Sequence, residues 1–237
     1  MQHNSEIPNN LSQCAKDAIL KQSQCIKDTI YKYKFIVIIR GVQLSLIEPL
    51  TKALFKGGVR LIEVTFDQRK GSKGIAETVE SIRRITEASH GDIIAGAGTV
   101  LTNEQLLAAA DAGATYIISP NVNVEIVNKT KEMGLVSIPG AFTPTEISCA
   151  YESGADFVKL FPAGSLGIRY AEAVMAPLNH IPMLAVGGVD EKNMMSFLDA
   201  GFCGIGAGGG IVNKQLMEEG RFDEITKLAE LYTKQLI

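Results

Sequence analysis

Eight short apolar runs, rich in β-branched residues, recur along the chain, and their spacing restricts the fold more than any other feature. They are Phe35–Ile39, Val59–Thr65, Ile93–Ala95, Thr115–Ile118, Leu135–Ile138, Ala155–Phe161, Pro182–Val186 and Gly204–Ala207. Successive starts lie roughly 20 to 35 residues apart, the length of one strand plus one helix. The intervening stretches carry helix start and stop signals. Thr102-Asn103-Glu104 precedes LLAAADAG, closed by Gly113; Thr143-Pro144-Thr145-Glu146 opens a segment closed by Gly154; Asp190-Glu191-Lys192-Asn193 opens MMSFLDAG, closed by Gly201. DAGAT, ESGAD and DAGFC repeat one helix-end-to-strand junction three times. Strands apolar on both faces belong to a parallel sheet covered by helices. A doubly wound open sheet is the competing layout, and eight regular units favour closure into a single (β/α)8 TIM barrel. Residues 12–31 read as an extra N-terminal amphipathic helix, with Ala15, Ala18, Ile19, Ile26 and Ile30 roughly on one side. Residues 1–11 read as a polar tail, and no linker divides residues 12–237, expected to form one barrel domain.

Composition narrows the function. Net charge is −3 with scattered basic residues, so neither a nucleic-acid patch nor a polybasic membrane segment is expected. No apolar stretch reaches the roughly 18 residues that a membrane span needs. Cys14, Cys25, Cys149 and Cys203 form no CxxC pair, and MQHNSEIPNN lacks a signal-peptide core; a cytoplasmic location is the expectation. His3, His90 and His180 have no cysteine or carboxylate at metal-ligand spacing, so no metal and no cofactor are expected, and no Ser-His-Asp arrangement is present.

Barrel chemistry gathers at the C-terminal ends of the strands, so polar residues there or inside apolar runs are the candidates. Lys159 interrupts Asp156-Phe-Val-Lys-Leu-Phe-Pro162. Withdrawing an ammonium from water favours the free amine, the form that attacks a ketone to give an iminium. The plainer reading is a lysine that snorkels or pairs with a carboxylate. Glu63, in Leu61-Ile-Glu-Val-Thr-Phe66, sits among apolar neighbours, where burial moves a carboxyl towards the range useful for proton transfer. A structural ion pair with Lys159 or Arg40 is the alternative. Arg40 ends the first run and can grip a carboxylate with two hydrogen bonds, or serve as a salt bridge at the barrel mouth. Thr99 and Pro120 also stand at strand ends, each weak alone. Gly187-Gly188 and Gly204–Gly210, with Gly208 and Gly209 among them, close the last two strands, where barrels often cradle a phosphate on backbone amides. GIGAGG satisfies GxGxxG, but it lies too near the C-terminus to open a dinucleotide-binding unit.

VIIRG (37–41), GGVRLIEVTF (57–66), GAGTVLT (96–102), YIISPN (116–121), IPGAFTPTE (138–146), FVKLFPAG (157–164) and AVGGV (185–189), in this order, resemble the class I 2-keto-3-deoxy-6-phosphogluconate (KDPG) and 4-hydroxy-2-oxoglutarate (KHG) aldolases. The likeness includes their 2-keto-3-deoxy-6-phosphogalactonate relatives and covers residues 35–212. It implies a metal-independent homotrimer that cleaves a small keto-acid substrate to pyruvate and an aldehyde. By the same resemblance Lys159 is the Schiff-base lysine and Glu63 the general acid/base. Arg40 and Thr99 contact the keto-acid end, Pro120 and Phe161 wall the pocket, and Gly187 and Gly188 donate backbone amides to a distal phosphate. Two departures bear on that phosphate. Asp67 stands where many members have arginine, with Arg69 nearby, and Gly209 stands where many have serine. Members also differ at the position of Val186, so the sugar stereochemistry stays open, as does the choice between a phosphorylated and an unphosphorylated aldehyde. Two rivals remain: a phosphosugar isomerase-type barrel without a covalent lysine, and a catalytically silent oligomer that only binds a keto acid or sugar phosphate.

Overall fold

The computed structural model of the protein describes residues 12–236; the expected polar tail, residues 1–11, lies outside the described residues. Among the described residues nine strands, all parallel to their neighbours, follow one another: β1 (Phe35–Ile39), β2 (Leu61–Thr65), β3 (Ile94–Gly98), β4 (Tyr116–Ile118), β5 (Val136–Ile138), β6 (Gly140–Ala141), β7 (Val158–Leu160), β8 (Met183–Val186) and β9 (Gly204–Ala207). Their order across the sheet is β5-β4-β3-β2-β1-β9-β8-β7-β6. Each strand coincides with one of the eight apolar runs except β6, which extends the fifth run.

Pro139 explains the ninth segment. It separates β5 from β6 and has no N–H to give to a ladder. Below it β5 pairs with β4; above it β6 pairs with β7, Gly140 opposite Lys159. The Pro139 carbonyl still accepts from the Lys159 amide at 2.9 Å. The two segments are halves of one barrel stave, and the ring closes through them with eight staves. The open-sheet alternative is excluded.

The helices are α1 (Gln13–Tyr33), α2 (Leu44–Lys56), α3 (Gly71–Ser89), α4 (Asn103–Asp111), α5 (Val124–Glu132), α6 (Pro144–Glu152), α7 (Ala163–Leu166), α8 (Ile168–Met175), α9 (Met194–Asp199), α10 (Lys214–Glu218) and α11 (Phe222–Thr233). Local chemistry sets their ends as the sequence signals require. The Thr102 hydroxyl caps α4, and Thr143 and Glu146 form a reciprocal capping box on α6 with Pro144 in its first turn. Gly113, Gly154 and Gly201 carry φ near +100°, the left-handed region in which a side chain is strained.

Two apolar layers result. Outside the barrel, helices pack on the outward strand residues, with Val37, Ile62 and Val158 against Leu54, Ile82 and Ile147. Inside it lie Ile36, Leu61, Tyr116, Ile118, Val136, Ile138, Phe157 and Leu184, with Ile26 and Ile30 of α1 against them. The barrel floor is therefore closed by α1, each of those two isoleucines contributing roughly 1.5–3 kcal/mol by burial. Lys27 and Lys131 both reach the buried Asp156 carboxylate, at 3.6 and 2.6 Å, and tie α1 and α5 to the start of the β7 stave. Only the second half of α1 docks fully. Ile26 and Ile30 are buried, Ala15 and Ile19 half-buried, and Ala18 exposed, so the apolar face expected of residues 12–31 extends over less of the helix than the pattern indicated.

Candidate active site

With α1 closing the floor, the opposite mouth opens into a cleft of about 520 Å³, lined among others by Arg40, Glu63, Lys159, Phe161, Gly187, Gly188, Asp190 and the Gly206–Gly210 segment. The period of two along each strand turns Glu63 on β2 and Lys159 on β7 into the barrel, where both are almost wholly buried, 2% and 6% exposed. The Lys159 Nζ stands 4.8 Å from the centre of the Phe161 ring, so an aromatic face covers it on one side. Arg40 follows β1 directly and remains exposed at the rim.

Glu63 takes part in no hydrogen bond or close ion pair with another described residue. The structural ion pair weighed for it is absent among the described residues. Burial pushes its carboxyl above the ordinary glutamate value, while the positive charges of Lys159 and then Arg40, acting at longer range, pull it back. A carboxyl poised between these influences, unclaimed by any fixed partner, can both take and give a proton.

The distal end of the cleft is built from backbone. Gly187 and Gly188 both have positive φ, +86° and +74°. A Cβ on Gly187 would lie 2.9 Å from the Phe161 ring, and one on Gly208 only 2.2 Å from the Ile38 carbonyl oxygen. Gly209 differs: its φ is not in the left-handed region, and a Cβ there meets nothing within 4 Å. The Gly208 carbonyl turns the chain by accepting from the Ile211 and Val212 amides, and no hydrogen bond engages the Gly209 and Gly210 amides among the described residues. The side chain nearest in character to an anion ligand is instead an anion: Asp190 lines this end and accepts from the Lys192 and Asn193 amides. Neither its presence nor that of Tyr232 was foreseen from the sequence.

Other expected residues lie at the mouth without lining this cleft. Thr99 follows β3 with φ +58°, a strained value for a β-branched residue. Gln68 holds it there by donating to the Thr99 carbonyl at 2.8 Å, and Gln105 in turn donates to Gln68. The Pro120 backbone is in close contact with Gly140, where a Cβ would lie 2.5 Å from the Pro120 carbonyl. Asp67 and Arg69 pair with each other at 3.0 Å, and the Arg69 side chain is 90% exposed and lines no part of this cleft.

Sequence reasoning missed what makes room for Glu63. The strand β3 presents Gly96 and Gly98 inward; a Cβ at Gly98 would sit 1.7 Å from Glu63 Oε1, and one at Gly96 only 2.1 Å from the Tyr116 ring. The alternating glycines of AGAG (95–98) were legible, but a glycine that clears space inside a barrel looks in sequence like one that makes a turn. Among the described residues, no group of three or more His, Cys, Asp or Glu side chains converges as a metal site would need, and no helix is long and apolar enough to cross a membrane.

Comparison with known proteins agrees with this geometry. The family model described as KDPG and KHG aldolase matches residues 26–228. A 2-dehydro-3-deoxy-phosphogluconate aldolase of Haemophilus influenzae is 29% identical, covering 87% of this chain and 94% of its own. A 2-dehydro-3-deoxy-6-phosphogalactonate aldolase of Escherichia coli is 33% identical over 75% of this chain and 83% of its own. The crystal structure of KDPG aldolase from Legionella pneumophila, with pyruvate captured as a covalent carbinolamine, superposes with a TM-score of 0.77 at 25% identity, covering 86% of this chain and 96% of that one. Strand order, inward lysine and glutamate, and the extent of these matches lead to one assignment: the chain belongs to the KDPG and KHG aldolase family, enzymes that break a carbon–carbon bond.

Proposed function

We propose that the protein cleaves a 2-keto-4-hydroxy acid to pyruvate and an aldehyde through a Schiff base on Lys159. The observation that carries this reading is the convergence of two buried ionisable groups, Lys159 and Glu63, on one open cleft whose rim bears Arg40. Arg40 holds the substrate carboxylate and so sets the C2 ketone over the lysine. The free amine of Lys159 adds to C2, and Glu63 donates the proton with which the carbinolamine hydroxyl leaves as water. The resulting carboxylate takes the C4 hydroxyl proton as the C3–C4 bond breaks, and its electron pair flows into the iminium to give an enamine. Glu63 returns the proton to C3, and water hydrolyses the pyruvyl iminium to free Lys159. Phe161 shields the amine, while Thr99 and Pro120, off the main cleft at the barrel mouth, are assigned to the keto-acid end on the family resemblance alone.

Gly187, Gly188, Gly208 and Gly209 receive the far end of the substrate on backbone amides. With Asp190 nearby and no hydroxyl at Gly209, a phosphate dianion gains less here than a serine-bearing loop would give it. The candidate substrates are KDPG, its galactonate epimer and 4-hydroxy-2-oxoglutarate. The proposed assembly is a homotrimer, on the strength of the family, and the free thiols of Cys14, Cys25, Cys149 and Cys203 support a cytoplasmic setting. A lactate dehydrogenase-coupled assay for pyruvate on the three substrates tests the reading. Turnover of at least one, lost in Lys159→Met, is expected. Turnover of none by the folded protein would return the choice to an isomerase or a binding protein.

A further inference from the structure

Tyr116 is fully buried inside the barrel, and its hydroxyl, wholly cut off from solvent, has no hydrogen-bond partner among the described residues. Buried hydroxyls are nearly always paired, and an orphaned one marks a site of strain or function. A phenylalanine would pack the same space without the orphan. The ring is not there by accident of space either: it lies across Gly96, where any Cβ would collide with it. The next inward residue of the same strand, Gly98, is the one against which the Glu63 carboxyl rests. Two consecutive inward glycines of β3 thus accommodate the tyrosine ring and the carboxylate.

We propose that the Tyr116 hydroxyl is reserved for the Glu63 carboxylate, donating to it through one bridging water or after a small shift of either side chain. Tyr116 is then a positioning residue: it touches neither substrate nor Lys159 and fixes the orientation and charge of the group that carries protons. This rests on the role proposed for Glu63. Electrostatics are consistent with it. Burial, and then the negative charge of Glu63, hold the phenol well above its ordinary value, so Tyr116 remains a neutral donor throughout the working range. The charged groups acting on Glu63 are Lys159 from β7 and Arg40 from the end of β1, and the third group beside it is Tyr116 of β4, on which the Glu63 charge itself acts. The first two attract the carboxylate from the side of the cleft, and the third faces it within the barrel core. With donors on both sides the carboxyl keeps a single orientation while it exchanges protons with substrate, whereas Lys159 and Arg40 alone leave it free to turn.

The test is a 13C-NMR titration of the Glu63 side-chain carboxyl in wild type and in Tyr116→Phe, the signal identified by its loss in Glu63→Gln. Because no substrate is present, the result is independent of whether the enzyme cleaves any particular keto acid. Loss of one hydrogen bond to a charged group moves a carboxyl upward by about one pH unit, and that upward shift is expected in Tyr116→Phe. A companion measurement follows exchange of the pyruvate methyl protons in D2O. Tyr116→Phe is expected to exchange about tenfold more slowly, with its acid limb moved to higher pH, while borohydride still traps pyruvate on Lys159. An unmoved titration in a folded variant would overturn the proposal and leave Tyr116 a packing residue. Failure of wild type itself to trap pyruvate would instead count against the Schiff-base reading, with the titration still deciding the place of Tyr116.

Discussion

At the β1–β2–β7 end of the cleft three ionisable side chains meet, two of them buried where charge is costly; at the β8–β9 end the wall is glycine backbone, and the acidic side chain there, Asp190, is the wrong type to hold a phosphate. The first end is specified by residue identity. Glu63 needs its neighbours cleared by Gly98 and has no fixed partner, an arrangement that lowers stability and persists only if the group is used. The second end is specified by backbone shape: Gly187, Gly188 and Gly208 cannot be replaced without collision or strain, whereas Gly209 can. On the proposed reading, chemistry is therefore fixed by side chains, and the fit of the departing aldehyde by main chain.

Substitutions can break this contrast in order of size. Lys159→Met removes the nucleophile and should cost on the order of 10⁵-fold or more in kcat, with the fold intact by circular dichroism. Residual cleavage above a few per cent would show that the buried lysine is not the nucleophile. Glu63→Gln should slow cleavage by roughly 10² to 10⁴-fold.

The same variant has a pH signature in stability. Burial raises the Glu63 carboxyl, so the folded protein holds a proton that the unfolded chain releases near the ordinary glutamate value of 4.5. Stability is thus lost as pH rises from that value through the raised one. Glu63→Gln abolishes the loss, and its Tm should exceed that of wild type above this interval, by roughly 2–4 °C per kcal/mol for a chain of this size. Parallel Tm–pH curves for the two proteins would deny the raised carboxyl.

At the rim, Arg40→Leu should raise KM about 10- to 100-fold, the worth of charged hydrogen bonds to a carboxylate, and change kcat less. A selective fall in kcat would move Arg40 from binding to the chemical step. The smallest effect belongs to the glycine end. Gly209→Ser enters open space and adds a hydroxyl, so KM for a phosphorylated substrate should fall about 2- to 10-fold, with 4-hydroxy-2-oxoglutarate unaffected. Equal changes for both substrates would mean that position 209 does not face the phosphate.

The sequence was most legible where a residue breaks a pattern. Lys159 and Glu63 interrupt apolar runs, and the runs themselves mark every stave. It was least legible where a residue conforms to one. Tyr116 looks like any strand aromatic, and nothing in YIIS shows that its hydroxyl lacks a partner. Pro139 splits a stave whose hydrogen bonds continue on both sides of it. Thr99 and Pro120 reach the expected mouth but stand off the main cleft, because strand-end position alone does not fix which way a side chain faces. Ala18 fits the apolar stripe of α1 yet remains exposed, since only the end of that helix reaches the barrel floor.

The central claim is that the buried amine of Lys159 forms a covalent bond with a keto acid. Incubation with pyruvate and borohydride, followed by peptide mass spectrometry, tests it directly. A reduced pyruvyl adduct on Lys159, absent without pyruvate, is the predicted result; an unmodified Lys159 in folded protein, or an adduct on another lysine, would contradict it.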